Sequence, residues 1–317
     1  MGKPTLAYRV LTNDRVKSIL VNLLKSLIFL FNLIGERASF RLASFLGGAL
    51  YLFARETRAS TLNSIRIVFP DIGRNEAERI AKSAFVHQTK TFVELLRYPC
   101  LNRKEILRKV RISGIENLRK ALLNEKGVIL LVPHLGNWEI LGATLGLLGY
   151  NVYSFFLDAR IDSIGELLNS FRESKGIKLI ARAELKKSVK VLKNNALLGV
   201  IADQDGGENG VYTDFFGKTV SAPRGPASLA RRTGATVLPM YVVRNIDDTY
   251  TMVIQRPIFL KKTSGKEEDI NRYTREFLRI YEKIILQFPE QWLWMYDRWK
   301  ERRHVAAYIK ETASKNG

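Results

Sequence analysis

His134 and Glu139 lie five positions apart within Pro133-His134-Leu135-Gly136-Asn137-Trp138-Glu139, directly after the apolar run Gly127 to Val132. An imidazole and a carboxylate are the pair that a proton transfer near neutral pH requires. Free imidazole has a pKa near ~6.5, and a carboxylate on one ring nitrogen fixes the tautomer and strengthens the other nitrogen as a base. On one regular helix, positions five apart diverge by roughly 140°, so the two side chains would not meet there. With His134 in a loop, Asn137 as N-cap and Glu139 in the first helical turn, the imidazole is expected to fold back onto the carboxylate. His134 is then a general base oriented by Glu139. The spacing alone leaves a hydrogen-bonded loop histidine as an equal alternative.

The elements around this pair set where it sits. The run 127 to 132 reads as a buried strand, and the apolar spacing of 138 to 149 as a helix. Further strands are expected at 151–156, 177–180, 197–202, 236–243 and 249–255. Helices are expected at 163–174, 183–194, 225–232 and 268–287. Such alternation predicts an α/β fold, a largely parallel sheet covered by helices on both faces. Ligands bind at the carboxyl ends of such strands. That edge holds the His134 loop, and also Asp203 and Asp205, which follow the strand 197–202; turn chemistry with Gly206-Gly207 is the alternative for these aspartates. The amides of Gly136 to Trp138, at a helix N-terminus, are candidate oxyanion donors, which makes Gly136 and Asn137 candidate substrate-binding residues. His87, inside a long amphipathic helix from Glu76 to Arg97, has no partner motif and reads as a packing or surface residue.

Composition narrows the chemistry. Three histidines and the single Cys100 are too few and too scattered for a zinc site, and one cysteine allows no internal disulfide. Neither a Gly-x-Ser-x-Gly elbow nor a phosphate-cradling Walker loop occurs, and no cofactor is expected. The 51 Lys and Arg against 31 Asp and Glu give a net charge of +20. Such a field attracts nucleic acid, an anionic membrane or an acidic protein. Without aromatics interleaved among the basic residues, or a recognisable reading module, nucleic acid is not expected. A membrane fits better, because residues 1–110 hold 19 basic and 8 acidic residues together with the most apolar segment. That segment, Val16 to Ile34, places Ile19, Leu20, Leu23, Leu24, Leu27, Leu30 and Phe31 on one helical face, with Lys17, Asn22, Lys25 and Ser26 on the other. Lys25 in mid-span would cost roughly 3 kcal/mol. A helix lying in the cytoplasmic interface is therefore expected, with a helix packed on the chain's own core as the alternative.

The HxxxxE element and its flanks resemble the HxxxxD/E signature of the lysophospholipid acyltransferase superfamily. Within it, an ordered set of blocks is similar to the late acyltransferases of lipid A biosynthesis: Asn63 to Pro70, Glu76 to Ile80, Phe85 to Glu94, Arg172 to Gly176, Ala202 to Asp205, Asp214 to Lys218 and Gly225 to Pro239. The resemblance implies transfer of a fatty acyl chain from acyl carrier protein to a hydroxyl of a lipid A precursor, at the cytoplasmic face of the inner membrane. It also implies an N-terminal anchor that spans. An acyl coenzyme A-dependent enzyme acting on another glycolipid or a lysophospholipid is the runner-up. Arg172 is matched to a family arginine at the acceptor or oxyanion site, with Arg160 a rival for the role. Asp203 and Asp205 are matched to an acidic block at the site, and Phe215-Phe216-Gly217 with Arg224 to a segment bordering the acceptor cleft. Trp292, Trp294, Tyr296 and Trp299 either meet the membrane or close the core. The expected organisation is a membrane-anchoring helix at 1–34, a helical segment at 35–110 and an α/β catalytic domain at 111–317.

Overall fold

The computed structural model describes residues 14–156, 162–181 and 184–316. Four helices come first: α1 (Asp14–Leu33), α2 (Gly35–Phe53), α3 (Arg55–Val68) and α4 (Arg74–Arg97). Then follow α5 (Arg103–Lys109), β1 (Val110–Ser113), α6 (Ile115–Leu122), β2 (Val128–Val132), α7 (Trp138–Leu147), β3 (Val152–Phe156), α8 (Asp162–Glu173), β4 (Ile177–Ala181), α9 (Leu185–Lys193) and β5 (Leu197–Ile201). The remainder is a hairpin of β6 (Val211–Phe215) and β7 (Lys218–Ala222), then α10 (Gly225–Thr233), β8 (Thr236–Arg244), β9 (Tyr250–Ile254), α11 (Lys266–Gln287) and α12 (Arg303–Asn316).

Seven strands form one sheet in the order β1-β9-β8-β2-β5-β3-β4. The five from β8 to β4 are mutually parallel, whereas β9 runs antiparallel to β8 and carries β1 parallel to itself. All five residues of β2 are buried, which explains its uninterrupted apolar run. Alternate side chains serve opposite faces. Ile129 and Leu131 join the larger core, with residues of α3, α4, α9, α10 and α11. Val128, Leu130 and Val132 join the smaller one, against α5, α6 and α7.

The expected α/β fold with a largely parallel sheet is the observed one, and the expected strands and helices recur within a few residues. The hairpin β6–β7 escapes sequence reading for a physical reason. Its turn puts both Phe216 (φ 52°) and Gly217 (φ 73°) in the left-handed region, a turn that usually announces itself by Asn-Gly or Asp-Gly. Here tertiary contacts hold it: Phe216 N–H donates to Glu282 Oε1 (2.7 Å), and the Phe215 ring stacks on Trp299.

The N-terminal helix docks along one stripe. Leu24 and Phe31 are buried with Ala43, Val93 and Leu96, while Ile19, Leu23, Phe29, Leu30 and Leu33 stay exposed. The Phe31 carbonyl near the end of α1 accepts from Ser39 Oγ (2.7 Å) and Arg97 Nη1 (2.5 Å), so a buried cation sits at the negative helix terminus. Val16–Leu33 is long and apolar enough to cross a membrane by length and composition. The packed stripe, with Leu27 and Ile28 partly buried against the same cluster, resembles the alternative of a helix on the chain's own core; the exposed stripe leaves part of the apolar surface uncovered.

Candidate active site

β2 and β5 are neighbours in register, Val132 opposite Ile201. Two residues beyond that pair, His134 faces Asp203. Nδ1 of His134 lies 2.6 Å from Asp203 Oδ1, and the His134 backbone N–H donates to Oδ2 (2.8 Å). The Trp292 indole N–H donates to Oδ2 as well (2.8 Å). Asp203 is 1% exposed, so three hydrogen bonds compensate its loss of water. Burial alone would raise its pKa. The His134 ring charge, together with the hydrogen bonds from His134 and Trp292, overcomes that and holds the carboxyl below the usual range. A carboxylate can only accept, so an Nδ1–H faces Asp203, and in the neutral ring the lone pair lies on Nε2. Trp138 meets the His134 ring edge-on, centroids 5.0 Å apart, and braces it from the other side.

The loop carrying His134 is strapped to the segment after α11. Leu293 N–H donates to the His134 carbonyl (3.0 Å), and Gly136 N–H to the Gln291 carbonyl (3.0 Å). Gly136 has φ 63°, and a Cβ there would stand 1.8 Å from the Val242 carbonyl oxygen. Its requirement is close backbone approach to β8, and its amide is already committed. Asn137 is fully buried: Oδ1 accepts from Ile140 N–H (3.0 Å) as the N-cap of α7, and Nδ2 donates to Glu94 Oε2 (2.7 Å). Arg244 Nη2 (2.6 Å) and the Tyr250 hydroxyl donate to the same Glu94 oxygen. The Gly136 amide and the Asn137 side chain are therefore committed to the framework, not open to substrate as donors.

Glu139 does not orient His134. It stands in the first turn of α7, as expected of the N-cap, but its carboxylate is forked by Arg172 of α8, with Nε at 2.9 Å and Nη2 at 2.6 Å. Arg172 Nη1 also donates to Asn169 Oδ1 (2.8 Å), so both Nη atoms keep an uncommitted N–H. Burial works against the Arg172 charge, and Glu139 more than offsets it, raising the pKa. His134, Trp138, Glu139 and Arg172 line one cavity of about 320 Å³, whose remaining wall is largely apolar, with Leu130, Leu141, Val152 and Ile177. A second cavity of about 610 Å³ also has His134 on its wall. Ser154, Phe155, Phe156, Gly199 and Ile201 border both, so the two meet at the histidine.

Asp205 lines the second cavity, yet its carboxylate accepts from Gly207 N–H (3.2 Å) and pairs with His304 Nε2 (3.2 Å) and Arg302 Nε (3.6 Å). It ties the loop after β5 to the start of α12. Arg160 lies outside the described residues. Phe215 is buried against Trp292 and Trp299, so it packs the core. Trp292 and Trp294 are buried too, which settles that part of the aromatic cluster as core. His87 is largely buried on α4 and lines neither cavity; burial, Arg244 and Lys90 lower its pKa to about 4. Sequence reading missed Trp292 as a donor to Asp203 and the Glu94, Arg244 and Tyr250 cluster behind Asn137. The uninterrupted pairing of charged residues inside apolar helical and strand runs, Glu94 in FVELL and Arg244 after YVV, was the available signal.

The family model described as bacterial lipid A biosynthesis acyltransferase matches residues 14–301. A phosphatidylinositol mannoside acyltransferase of Mycobacterium tuberculosis (strain CDC 1551 / Oshkosh) is 30% identical over 155 residues, 47% of this chain and 49% of that protein, so the match spans about half of that relative's length. The lipid A biosynthesis palmitoleoyltransferase of Escherichia coli (strain K12) is 24% identical over 257 residues, 79% of this chain and 81% of that protein. The lipid A biosynthesis lauroyltransferase of the same strain is 23% identical over 267 residues, covering 83% and 85%. Since the family model runs from the first helix past the Trp292 strap, the chain belongs to the bacterial lipid A biosynthesis acyltransferase family.

Proposed function

We propose that this chain transfers a fatty acyl group from a thioester to a hydroxyl of a glycolipid, with acyl carrier protein as donor and a lipid A precursor as acceptor. The observation that carries the reading is the His134 Nδ1 to Asp203 contact, which leaves Nε2 as base where two cavities meet. The acceptor hydroxyl gives its proton to Nε2 as its oxygen attacks the thioester carbonyl. The tetrahedral oxyanion is met by the uncommitted N–H groups of Arg172, which Glu139 holds in place. The intermediate collapses, the C–S bond breaks, and the proton on Nε2 returns to the leaving thiolate. Direct attack is favoured over an acyl-enzyme. Ser154 lines both cavities, but its hydroxyl is directed at the Phe155 carbonyl (3.4 Å) and not at His134. The exposed apolar stripe of α1, that of α2 with Phe45, Leu50 and Phe53, and the net charge of +20 suit an anionic inner-membrane surface.

A second acceptor class has a specific observation in its favour: the mycobacterial relative, named for phosphatidylinositol mannoside, matches at 30% identity, above the E. coli proteins. Mass spectrometry of the glycolipids of cells with and without this chain separates the two. Loss of one acyl chain from lipid A is expected, and loss from another glycolipid with lipid A intact would overturn the acceptor. With the same acyl chain on both carriers, the acyl carrier protein thioester should give the larger kcat/KM, an advantage that salt erodes, since the Debye length is about 8 Å at physiological ionic strength. Equal values at low salt would favour coenzyme A as donor. Ser154→Ala should retain transfer; its loss together with an undetectable acyl-enzyme in the variant only would restore a two-step route.

A further inference from the structure

The second cavity has a face that acyl transfer itself does not use. Arg224, the N-cap of α10, and Ser228 and Arg232 within it all line the cavity, at positions four apart and hence stacked along one side of the helix. The lining also includes Gln204, Asp205 and Asn209 from the loop after β5, and His134. Arg232 makes no ion pair or hydrogen bond among the described residues. Among the described residues Arg224 pairs only with Glu267, whose side chain is 61% exposed, a contact of the kind that is given up at little cost. The one carboxylate in the lining, Asp205, is already occupied by the Gly207 amide, His304 and Arg302. Two guanidinium groups, a hydroxyl and a neutralised acidic wall make a surface for a dianionic or monoanionic oxyanion group. Apolar side chains beside it, Leu185, Val189, Val200 and Leu229, suit the uncharged remainder of such a molecule.

We propose that this α10 face binds the phosphate group of a phosphate-bearing substrate, and so sets which end of that substrate lies away from His134. The proposal rests on the acyl-transfer reading and names the chemistry one of its substrates must carry. Two sources share it: the phosphopantetheine arm of a thioester donor and a sugar phosphate on the acceptor. Arg224→Gln, Arg232→Gln and the double variant are assayed with donors and acceptors that differ only in that group: acyl-phosphopantetheine against acyl-pantetheine, and a phosphorylated glucosamine lipid against its dephosphorylated form.

Wild type should prefer one phosphorylated partner through a lower KM, by about tenfold or more, as expected for a charge-assisted contact. Each glutamine variant should shrink that preference and the double variant should bring the ratio near one, with Arg232→Lys retaining part of it. A lost preference confined to the donor assigns the site to the phosphopantetheine arm; one confined to the acceptor assigns it to the sugar phosphate. Phosphate preferences unchanged in the double variant, with wild type active, overturn the site and leave acyl transfer standing. If wild type transfers no acyl group, the function fails separately, and calorimetric titration with phosphopantetheine and with glucosamine 1-phosphate decides the site. Binding of either that the double variant loses supports it; binding of neither overturns it.

Discussion

Asp203 Oδ1 lies 2.6 Å from His134 Nδ1 across two neighbouring parallel strands, and the same carboxylate accepts the His134 backbone N–H and the Trp292 indole through Oδ2. The ring, its backbone and a buried aromatic thus fix one carboxylate from three sides. In the proposed mechanism that arrangement presents the Nε2 lone pair of the neutral ring to the acceptor hydroxyl.

Asp203→Asn should therefore abolish most transfer. An amide can accept at one atom only, and its NH₂ would oppose either the Trp292 N–H or the His134 Nδ1–H, favouring the wrong tautomer. A fall in kcat of about 10²- to 10⁴-fold is expected, in the range of general-base contributions, with a stability loss of about 1–3 kcal/mol from the mispaired donor. Kinetics of the purified variant beside its urea denaturation curve checks both parts. Retention of a tenth or more of wild-type kcat would remove Asp203 from the mechanism.

Glu139 and Arg172 should behave as one unit. Glu139→Gln leaves the His134 to Asp203 contact intact but frees the Arg172 guanidinium, so kcat/KM should fall by about 10- to 100-fold, less than for Asp203→Asn. Arg172→Gln should lose a similar amount, and the double variant little more than either, because each single change already breaks the fork. Additive losses would mean that the two side chains act separately.

The difference between the two carboxylates shows where sequence reasoning stops. The strands of the parallel sheet are legible because burial on both faces leaves continuous apolar runs such as 128–132. The loop with His134 and the one with Asp203 both fall at the carboxyl edge on that reading. What periodicity does not carry is strand order, so the adjacency of β2 and β5 and a contact between residues 69 positions apart stay hidden, whereas Glu139 is near in sequence. Trp292, 89 positions from Asp203, is harder still: an aromatic cluster reads the same whether it fills a core or donates one hydrogen bond. Gly136 and Asn137 sit at a helix N-terminus as expected, but only tertiary structure reveals that the Gly136 amide is taken by the Gln291 carbonyl and the Asn137 side chain by Glu94 and the Ile140 amide.

His87 predicts a pH dependence of stability. Its folded pKa is lowered to about 4, from burial first and then from Arg244 and Lys90, against ~6.5 in an unfolded chain. Between these values the unfolded state binds the proton and the folded state does not, so stability is complete above about pH 6.5 and declines as the pH falls toward 4. The decline from this one residue should be about 2 kcal/mol, allowing for partial solvent contact. Comparing urea midpoints of wild type and His87→Asn at pH 7.5, 5.5 and 4.5 isolates it from the carboxylates. The variant should close the gap at low pH; parallel curves for the two proteins would show that His87 is not the group responsible.

The two stripes of α1 make opposite predictions for substitutions as close as the adjacent Leu23 and Leu24. Leu24 and Phe31 are buried against Ala43, Val93 and Leu96, so polar residues there should destabilise the fold, by about 2–4 kcal/mol each, since they remove packed apolar area and strand a polar group. Ile19, Leu23 and Phe29 are exposed, at 65%, 55% and 70%, so polar replacements there cost the fold little. Those same replacements should weaken binding to anionic vesicles steeply, because each apolar side chain removed from water by the lipid contributes about 1.5–3 kcal/mol. A triple variant, Ile19→Ser, Leu23→Ser and Phe29→Ser, is expected to keep the wild-type denaturation midpoint and to stay in the supernatant when phosphatidylglycerol vesicles are sedimented. Undiminished sedimentation would place the membrane contact elsewhere, on α2 or on the basic surface alone. Accessibility of an N-terminal tag from the outer side would show instead that α1 crosses, with Lys25 drawn to one interface.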